Sequence, residues 1–337
     1  MTTQVTRESS DPGLDAPLST DTFIADVNRI HDTVSHAIQG KPQAIGMALL
    51  TMLAHGHLLV EDVPGVGKTM LAKALAACVG GTMHRIQFTP DLLPSDVTGS
   101  SVFNMARREF EFRPGPVFAN VVLADEINRS SPKTQSALLE CMAEAQVSVD
   151  GSTHRLDDPF FVIATQNPID MAGTYPLPEP QRDRFMARIS IGYPDAEAEQ
   201  EMLAAHSEKA NPLAAEPVVD LARMRQLTDY IAGVHASQAI RNYVVAVSQG
   251  TREHPALALG ASPRATIHLL RAARARAALA GRAFIVPDDV QALTEPVLAH
   301  RLILRPDAAA AGATEGDVLR EVLRGIPVPA DSAAPGR

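Results

Sequence analysis

The chain has 337 residues, of which 45% are hydrophobic and 20% are charged, so it is long enough for about two folded domains of roughly 150 residues each. Its 30 Lys and Arg residues against 39 Asp and Glu residues give a formal net charge of -9, which opposes nonspecific attraction to nucleic acid and acidic lipid. The two cysteines, Cys78 and Cys141, stand far apart and outside any C-x-x-C spacing, which argues against a disulfide framework or a zinc knuckle. We therefore expect a cytoplasmic protein that has no nucleic-acid partner.

Both ends of the sequence differ in composition from the middle. Residues 1–20 are rich in Ser, Thr, Asp and Pro, residues 326–337 read IPVPADSAAPGR, and both stretches are predicted to be disordered tails. The first stretch has no apolar run of signal-peptide length, and the apolar runs elsewhere are too short or too interrupted to span a bilayer. No integral membrane segment is expected.

Between residues 21 and 194, short apolar runs alternate with segments of helical periodicity. Strands that are apolar on both faces and separated by helices indicate a parallel sheet covered by helices on both sides. The sequence therefore predicts an α/β domain with these candidate strands: HLLVE at 57–61, HRIQF at 84–88, NVVLAD at 120–125, PFFVIAT at 159–165 and ARISI at 187–191.

The segment HLLVEDVPGVGKTM at 57–70 places a glycine-rich loop between the first candidate strand and a helical segment. A phosphate needs backbone N–H donors, a helix N-terminus behind them and a cation in front. Gly65 and Gly67 let the backbone approach closely, Lys68 can reach the terminal phosphates, and Thr69 can bind Mg²⁺. The predicted phosphate-binding residues are Val63, Pro64, Gly65, Val66, Gly67, Lys68, Thr69 and Met70.

One residue departs from the P-loop pattern G-x-x-x-x-G-K-[ST]. Counting back from Lys68, the leading glycine is replaced by Asp62. Aspartate tolerates unusual backbone angles, but its carboxylate would repel a phosphate if it faced the nucleotide. We expect the carboxylate of Asp62 to point away from the nucleotide.

Two further motifs follow candidate strands in an order that suits ATP hydrolysis. NVVLADEIN places Asp125 and Glu126 directly after four apolar residues. Asp125 would hold Mg²⁺ through water, and Glu126 would orient and polarise the attacking water. FFVIATQNP places the amide of Asn167 after a further strand, where it can position the same water.

These motifs, in this order, resemble those of AAA+ ATPases and, more narrowly, of the MoxR family. The resemblance runs from about Gly40 to Leu304 and implies a P-loop NTPase core followed by a smaller all-α lid domain, with ATP and Mg²⁺ as cofactors. The matching segments are VPGVGKT at 63–69, RIQFTPDLLPSDVTG at 85–99, FEFRPGPVFANVVLADEINRSSPKTQSALLECMAE at 110–144, ATQNPID at 164–170, YPLPEPQRDRF at 175–185, GASPRA at 260–265 and PDDVQALTEPVLAHRL near the end.

The resemblance also implies roles for three residues. Asn167 matches the sensor 1 residue, Arg184 in DRF matches the arginine finger, and Arg264 in SPRA matches sensor 2 of the lid. Arg182 stands where the family usually has an apolar residue, so Arg182 and Arg184 both remain candidates for the finger. In this family's ring an arginine of one subunit completes its neighbour's site, so the resemblance implies a hexamer.

After GYPD at 192–195 the pattern becomes helical with no clear strand, which predicts a helical lid domain over residues 195–325. The preceding α/β domain, residues 21–194, contains two predicted hairpin inserts, near 95–118 and 146–159, the second with Asp-Gly at its turn. By resemblance, these hairpins would line or rim the ring and move with hydrolysis.

The leading functional hypothesis is an Mg²⁺-dependent ATP hydrolase. The resemblance implies a chaperone-like role in remodelling or maturing a client protein, typically one with a von Willebrand factor A domain. A metal-chelatase motor subunit is an alternative with the same architecture. A nucleic-acid motor or loader is another, although the negative net charge weighs against it.

Overall fold

The computed structural model describes residues 18–63, 65–167, 175–194, 196–197, 199–200 and 216–329. The two predicted tails lie mostly outside these ranges, but residues 18–20 and 326–329 do not, and the first helix already begins at Thr20 with Ser19 as its N-cap. In the described ranges, no helix is both long and apolar enough to cross a membrane.

The described helices and strands are numbered separately in chain order. The helices are α1 Thr20–Ala37, α2 Pro42–Leu53, α3 Lys68–Cys78, α4 Pro94–Thr98, α5 Pro132–Glu144, α6 Glu179–Arg182, α7 Leu221–Ala232, α8 Gln238–Glu253, α9 Pro263–Leu279, α10 Pro287–Leu298, α11 Pro306–Ala310 and α12 Glu315–Gly325. The strands are β1 Leu58–Glu61, β2 Met83–Gln87, β3 Gly99–Asn104, β4 Glu109–Pro114, β5 Val121–Asp125, β6 Gln146–Val149, β7 Ser152–Arg155, β8 Phe161–Gln166, β9 Ala187–Ile189, β10 Leu257–Leu259 and β11 Ile303–Leu304.

A five-stranded parallel sheet in the order β2-β5-β8-β1-β9 forms the centre of the α/β part. All five apolar runs that predicted strands form these five strands, so the predicted α/β sheet is confirmed. Because the strands are parallel, their carboxyl ends share one edge of the sheet, here called the carboxyl edge, and their amino ends share the opposite one, the amino edge. β1 lies between β8 and β9, with Leu59 level with Ala164 and Arg188.

Each face of the sheet belongs to a different hydrophobic core, which explains why its central strands β5, β8 and β1 are apolar at nearly every position. Leu58 and Val60 face a core that also holds residues of α1, α2, α3 and the helices after residue 220. Leu59, between them, faces a second core with residues of α4 and α5. Successive residues of a strand point to opposite faces, so a sheet covered on both sides requires an apolar residue at nearly every position.

Two antiparallel hairpins extend from the α/β part. β3 and β4 pair from Gly99 with Pro114 to Asn104 with Glu109, around the turn at residues 105–108. β6 and β7 are joined by Asp150 and Gly151, whose φ angles of 49° and 78° are both positive, as a tight hairpin turn with Asp-Gly requires.

The part after residue 220 is mainly helical, with α9 packed against α7, α8 and α10. It also contains the short strands β10 and β11, which pair antiparallel as a two-stranded sheet and which the helical pattern did not indicate. Strands of three and two residues are too short to display an alternating pattern. α1 and α2 also pack against α9, which joins the two parts of the chain in one core.

Candidate functional site

The glycine-rich loop leaves β1 at the carboxyl edge and leads directly into α3. Gly65 and Gly67 have φ angles of 87° and 92°, in a region that side chains with a Cβ rarely adopt. Gly67 is the N-cap of α3, so the free N–H groups of the first helical turn face the end of the loop. A loop of this kind at a helix N-terminus is an anion-binding site.

The predicted phosphate-binding residues surround this helix start. Lys68, Thr69 and Met70 form the first turn of α3, and the Nζ atom of Lys68 donates a hydrogen bond to the backbone oxygen of Asp62 at 3.0 Å. Val66 is buried, which anchors the loop to the core beneath it. Pro64, also predicted to contact phosphate, lies outside the described residues.

The side chain of Asp62 is turned toward the chain segment that follows β9. Its carboxylate accepts hydrogen bonds from the backbone N–H groups of Ile191 and Gly192 at 2.5 and 2.6 Å, and from Ser190 Oγ at 3.1 Å. Burial raises the pKa of Asp62, but these hydrogen bonds and one from the Val63 N–H outweigh it and hold the pKa below its ordinary value. The orientation agrees with the expectation that this carboxylate points away from bound phosphate.

Asp125 is the last residue of β5, and Glu126 directly follows it at the same carboxyl edge. Asp125 is buried; its Oδ1 atom accepts a hydrogen bond from Thr165 Oγ1 at 2.6 Å, and its Oδ2 atom accepts from Arg85 Nε and Nη2 at 3.1 and 2.5 Å. Arg85 lies on β2, level with Leu123 of β5, so it reaches across the neighbouring strand. The charge of Asp125 is therefore balanced by the guanidinium of Arg85.

Glu126 has a backbone in the left-handed region, with φ 55° and ψ 50°. Its N–H donates to Thr165 Oγ1 at 2.8 Å, while its Oε2 atom accepts from Gln87 Nε2 at 2.9 Å and from Arg129 Nη1 at 2.8 Å. The hydroxyl of Thr165 thus touches both acidic residues. These hydrogen bonds hold both the backbone and the carboxylate of Glu126 in place at the end of β5.

The sequence motifs do not single out Arg85, Gln87 and Thr165, which also belong to this network. A signal for two of them was present, because Arg85 and Gln87 stand two residues apart in a predicted strand and therefore point to one face. Polar side chains repeated at that interval indicate a polar surface next to that face of the strand.

Asn167 lies directly after β8 at the carboxyl edge. The last residue of β8, Gln166, is level with Glu61 of β1, and its backbone oxygen accepts a hydrogen bond from the Asp62 N–H at 3.1 Å. The structure therefore gathers the loop with Lys68, the acidic pair after β5 and Asn167 at a single edge of the sheet.

Arg184 and Arg264 lie at the opposite, amino edge. Arg184 precedes β9, and two residues later the Met186 N–H donates to the backbone oxygen of His57, just before β1 begins. Arg264 is in the first turn of α9, and further along this helix Arg271 Nη2 donates to the backbone oxygen of His55 at 3.0 Å. Four strand residues, roughly 13 Å, separate this edge from the P-loop. The structure does not bring these two arginines to the P-loop of their own chain.

Arg264 lies beside Asp183, the residue that directly precedes Arg184 in the chain. Ser262 Oγ, at the N-cap of α9, donates to the Asp183 carboxylate at 2.8 Å, and Arg264 Nη1 lies 4.0 Å from it. Arg301, almost fully buried, places its Nε 3.6 Å from the same carboxylate and also donates to the backbone oxygen of Phe185. Burial, and then the nearby charge of Arg264, lower the pKa of Arg184, whose Nη1 donates to the Leu139 backbone oxygen.

Arg182 remains beside Arg184 as a candidate. Its Nε atom is buried and forms no hydrogen bond within the described part of the chain. Both arginines flank Asp183, so the structure does not choose between them.

Comparison with known proteins identifies first the class of this protein and then its family. The model of the "ATPase family associated with various cellular activities (AAA)" matches residues 57–187, and the AAA lid domain model matches residues 249–322. The chain is thus an AAA protein, a class that binds nucleotide at a P-loop of this kind.

Three relatives narrow this assignment. The uncharacterized protein YeaC of Bacillus subtilis is 48% identical over 89% of this chain and 94% of its own length. Chaperone MoxR1 of Mycobacterium tuberculosis is 42% identical over 90% of this chain and 82% of its own length. A solved structure from Cytophaga hutchinsonii, provisionally assigned as an ATPase, has a TM-score of 0.86 and 37% identity, and the match covers 92% of this chain and 97% of that one. The chain belongs to the MoxR family of AAA ATPases.

Proposed function

We propose that this protein is an Mg²⁺-dependent ATP hydrolase whose site is completed by a second copy of the chain. The observation that carries the proposal is the separation of its functional groups. The nucleotide-binding loop and the acidic pair lie at the carboxyl edge, whereas Arg184 and Arg264 lie at the amino edge.

Each functional residue at the carboxyl edge is proposed to have a specific role in binding or hydrolysing ATP. The backbone N–H groups of Val63 and residues 65–70, together with the Lys68 side chain, bind the phosphates of ATP. Thr69 and Asp125 supply oxygen ligands of the kind that Mg²⁺ prefers, and the ion would neutralise charge on the phosphates. Glu126 polarises the attacking water and Asn167 positions it.

The arginines are proposed to act on a neighbouring copy. Supplying an arginine to the transferred phosphate is worth about 10³ to 10⁵ in rate, or roughly 4 to 7 kcal/mol of transition-state stabilisation. We propose a hexameric ring, in which every copy gives its arginines to the next.

The output of hydrolysis is proposed to be chaperone-like remodelling of a client protein. The relative MoxR1 is named a chaperone, and the β3–β4 hairpin offers a surface for such contacts. Phe110 is 73% exposed and Met105 is 83% exposed, beside the partly exposed Phe103. A client with a von Willebrand factor A domain and a cytoplasmic location remain predictions.

The test compares two variants that separate binding from hydrolysis. Glu126→Gln is expected to bind ATP without hydrolysing it, and Lys68→Ala is expected to bind ATP poorly. Purified wild-type protein should release phosphate from Mg-ATP, and neither variant should do so. Hydrolysis by Glu126→Gln at the wild-type rate would contradict the proposed mechanism.

The same pair of variants identifies the client by affinity capture in Mg-ATP, followed by mass spectrometry and a nucleic-acid stain. A protein retained by Glu126→Gln and absent from Lys68→Ala would support remodelling. Capture of nucleic acid alone would favour a motor or loader instead.

A further inference from the structure

Asp62 occupies the position at which the P-loop pattern has glycine, and its side chain makes contacts that glycine cannot make. The residue is buried. Its Oδ2 atom accepts three hydrogen bonds, from Ser190 Oγ at 3.1 Å, the Ile191 N–H at 2.5 Å and the Gly192 N–H at 2.6 Å. Its Oδ1 atom accepts one more, from the Val63 N–H at 2.9 Å.

The backbone of Asp62 contacts two other parts of the site. Its N–H donates to the backbone oxygen of Gln166, next to Asn167, at 3.1 Å. Its carbonyl oxygen accepts a hydrogen bond from Lys68 Nζ at 3.0 Å. One residue therefore touches the phosphate-binding lysine, the end of β8 and the chain beyond β9.

The chain beyond β9, residues 190–194, is called here the exit segment because it leaves the sheet toward the helical part of the protein. A second contact holds it, since Lys41 Nζ donates to the backbone oxygen of Tyr193 at 2.6 Å. Gly192 has a φ angle of 67°, so the chain turns at the residue whose N–H meets Asp62. A carboxylate that accepts two successive backbone N–H groups fixes both the position and the direction of such a turn.

We propose that Asp62 is a positioning residue that fastens the exit segment to the P-loop, so that nucleotide binding at Lys68 and the start of the connection to the helical part are coupled. Glycine at this position would leave the N–H groups of Ile191 and Gly192 without their acceptor, and buried donors without an acceptor are costly. Aspartate at this position thus supplies a connection to the exit segment that the glycine of the standard loop cannot supply. The coupling rests on the proposed nucleotide site at Lys68.

The test restores the standard motif with Asp62→Gly. A P-loop that merely tolerates aspartate would work as well or better with glycine. The proposal instead predicts a KM for ATP raised by about tenfold in the folded variant, because the loop loses charge-assisted hydrogen bonds that hold it in place. Unchanged or improved kinetics would overturn the proposal.

Hydrogen exchange supplies a readout that does not depend on hydrolysis. In wild type, Mg-ADP should slow exchange of the Ile191 and Gly192 amides, and in Asp62→Gly their exchange should be at least about tenfold faster and insensitive to Mg-ADP. Equal protection by Mg-ADP in both proteins would overturn the coupling. If wild type hydrolysed no ATP, the proposed function would fail, while this exchange difference would still decide the role of Asp62.

Two milder variants test the proposal in case Asp62→Gly does not fold. Asp62→Asn can turn its amide oxygen to Ile191 and Gly192 but then presents its amide nitrogen to the Val63 N–H, so intermediate exchange is expected. Ser190→Ala removes a single donor and should leave the response to Mg-ADP in place. An asparagine variant with wild-type exchange and KM would show that the charge has no positioning role.

Discussion

Thr165 offers a sharp test of the polar network beneath the acidic pair. Its side chain is fully buried, and its hydroxyl donates to Asp125 Oδ1 at 2.6 Å while accepting from the Glu126 N–H at 2.8 Å. Thr165→Val keeps the shape of the side chain but removes the hydroxyl. Thr165→Ser keeps the hydroxyl and is the matched control.

The expected cost follows from the two lost hydrogen bonds. A hydrogen bond to a charged group contributes about 1.5 to 3 kcal/mol, and a buried N–H left without an acceptor costs about 1 to 3 kcal/mol. We expect Thr165→Val to lower the free energy of unfolding by about 3 kcal/mol, and Thr165→Ser to lower it by less than about 1.5 kcal/mol. Because Glu126 has a positive φ angle of 55° that this contact supports, the valine variant should also hydrolyse ATP at least about tenfold more slowly.

Urea unfolding followed by circular dichroism measures the first effect, and phosphate release at saturating Mg-ATP measures the second. Both should be recorded under conditions in which the variants are folded. If valine and serine variants had the same stability and the same kcat, the hydroxyl of Thr165 would not organise the acidic pair.

Two further predictions concern buried charge. Burial lowers the pKa of His57 to about 4, from about 6.5 when unfolded, so its contribution to stability is complete above pH 6.5 and is lost as the pH falls toward 4. Between pH 8 and 5.5 this contribution should fall by about 1.4 kcal/mol, and His57→Gln, measured by urea unfolding, should lack that part of the decrease. Asp183→Asn removes the carboxylate beside the buried Arg301, 3.6 Å from its Nε, and should lower the free energy of unfolding by about 3 kcal/mol. A change below about 0.5 kcal/mol, the size typical of an exposed pair, would contradict that account of Arg301.

The fold could be predicted because the physical signals are local. A strand covered on both faces needs apolar residues at nearly every position, and runs such as VVLA at 121–124 meet that need within four residues. The glycines of the P-loop are likewise demanded by local backbone angles, as their positive φ values at 65 and 67 illustrate. Features of this kind can be read from a short window of sequence.

The contacts between distant segments could not be predicted in this way. The carboxylate of Asp62 meets Ile191, 129 positions later in the chain, and nothing in the spacing of residues indicates that partner. Sequence order also does not reveal at which edge of the sheet a helical part docks. Arg264 was therefore expected at the nucleotide by resemblance alone, and its actual neighbour, Asp183, became evident only from the packing of α9.

The proposed mechanism is tested most directly by asking whether the arginines of one copy complete the nucleotide site of another. Lys68→Ala subunits have an impaired P-loop and intact arginines, while subunits with Arg182→Ala, Arg184→Ala and Arg264→Ala together have an intact P-loop and none of the three candidate arginines. Each variant alone should be nearly inactive. In a ring assembled from equal amounts of both by head-to-tail contacts, about one quarter of the positions pair an intact P-loop with intact arginines. The account predicts that mixing restores about one quarter of the wild-type ATPase rate. A mixture no more active than the separate variants would contradict it.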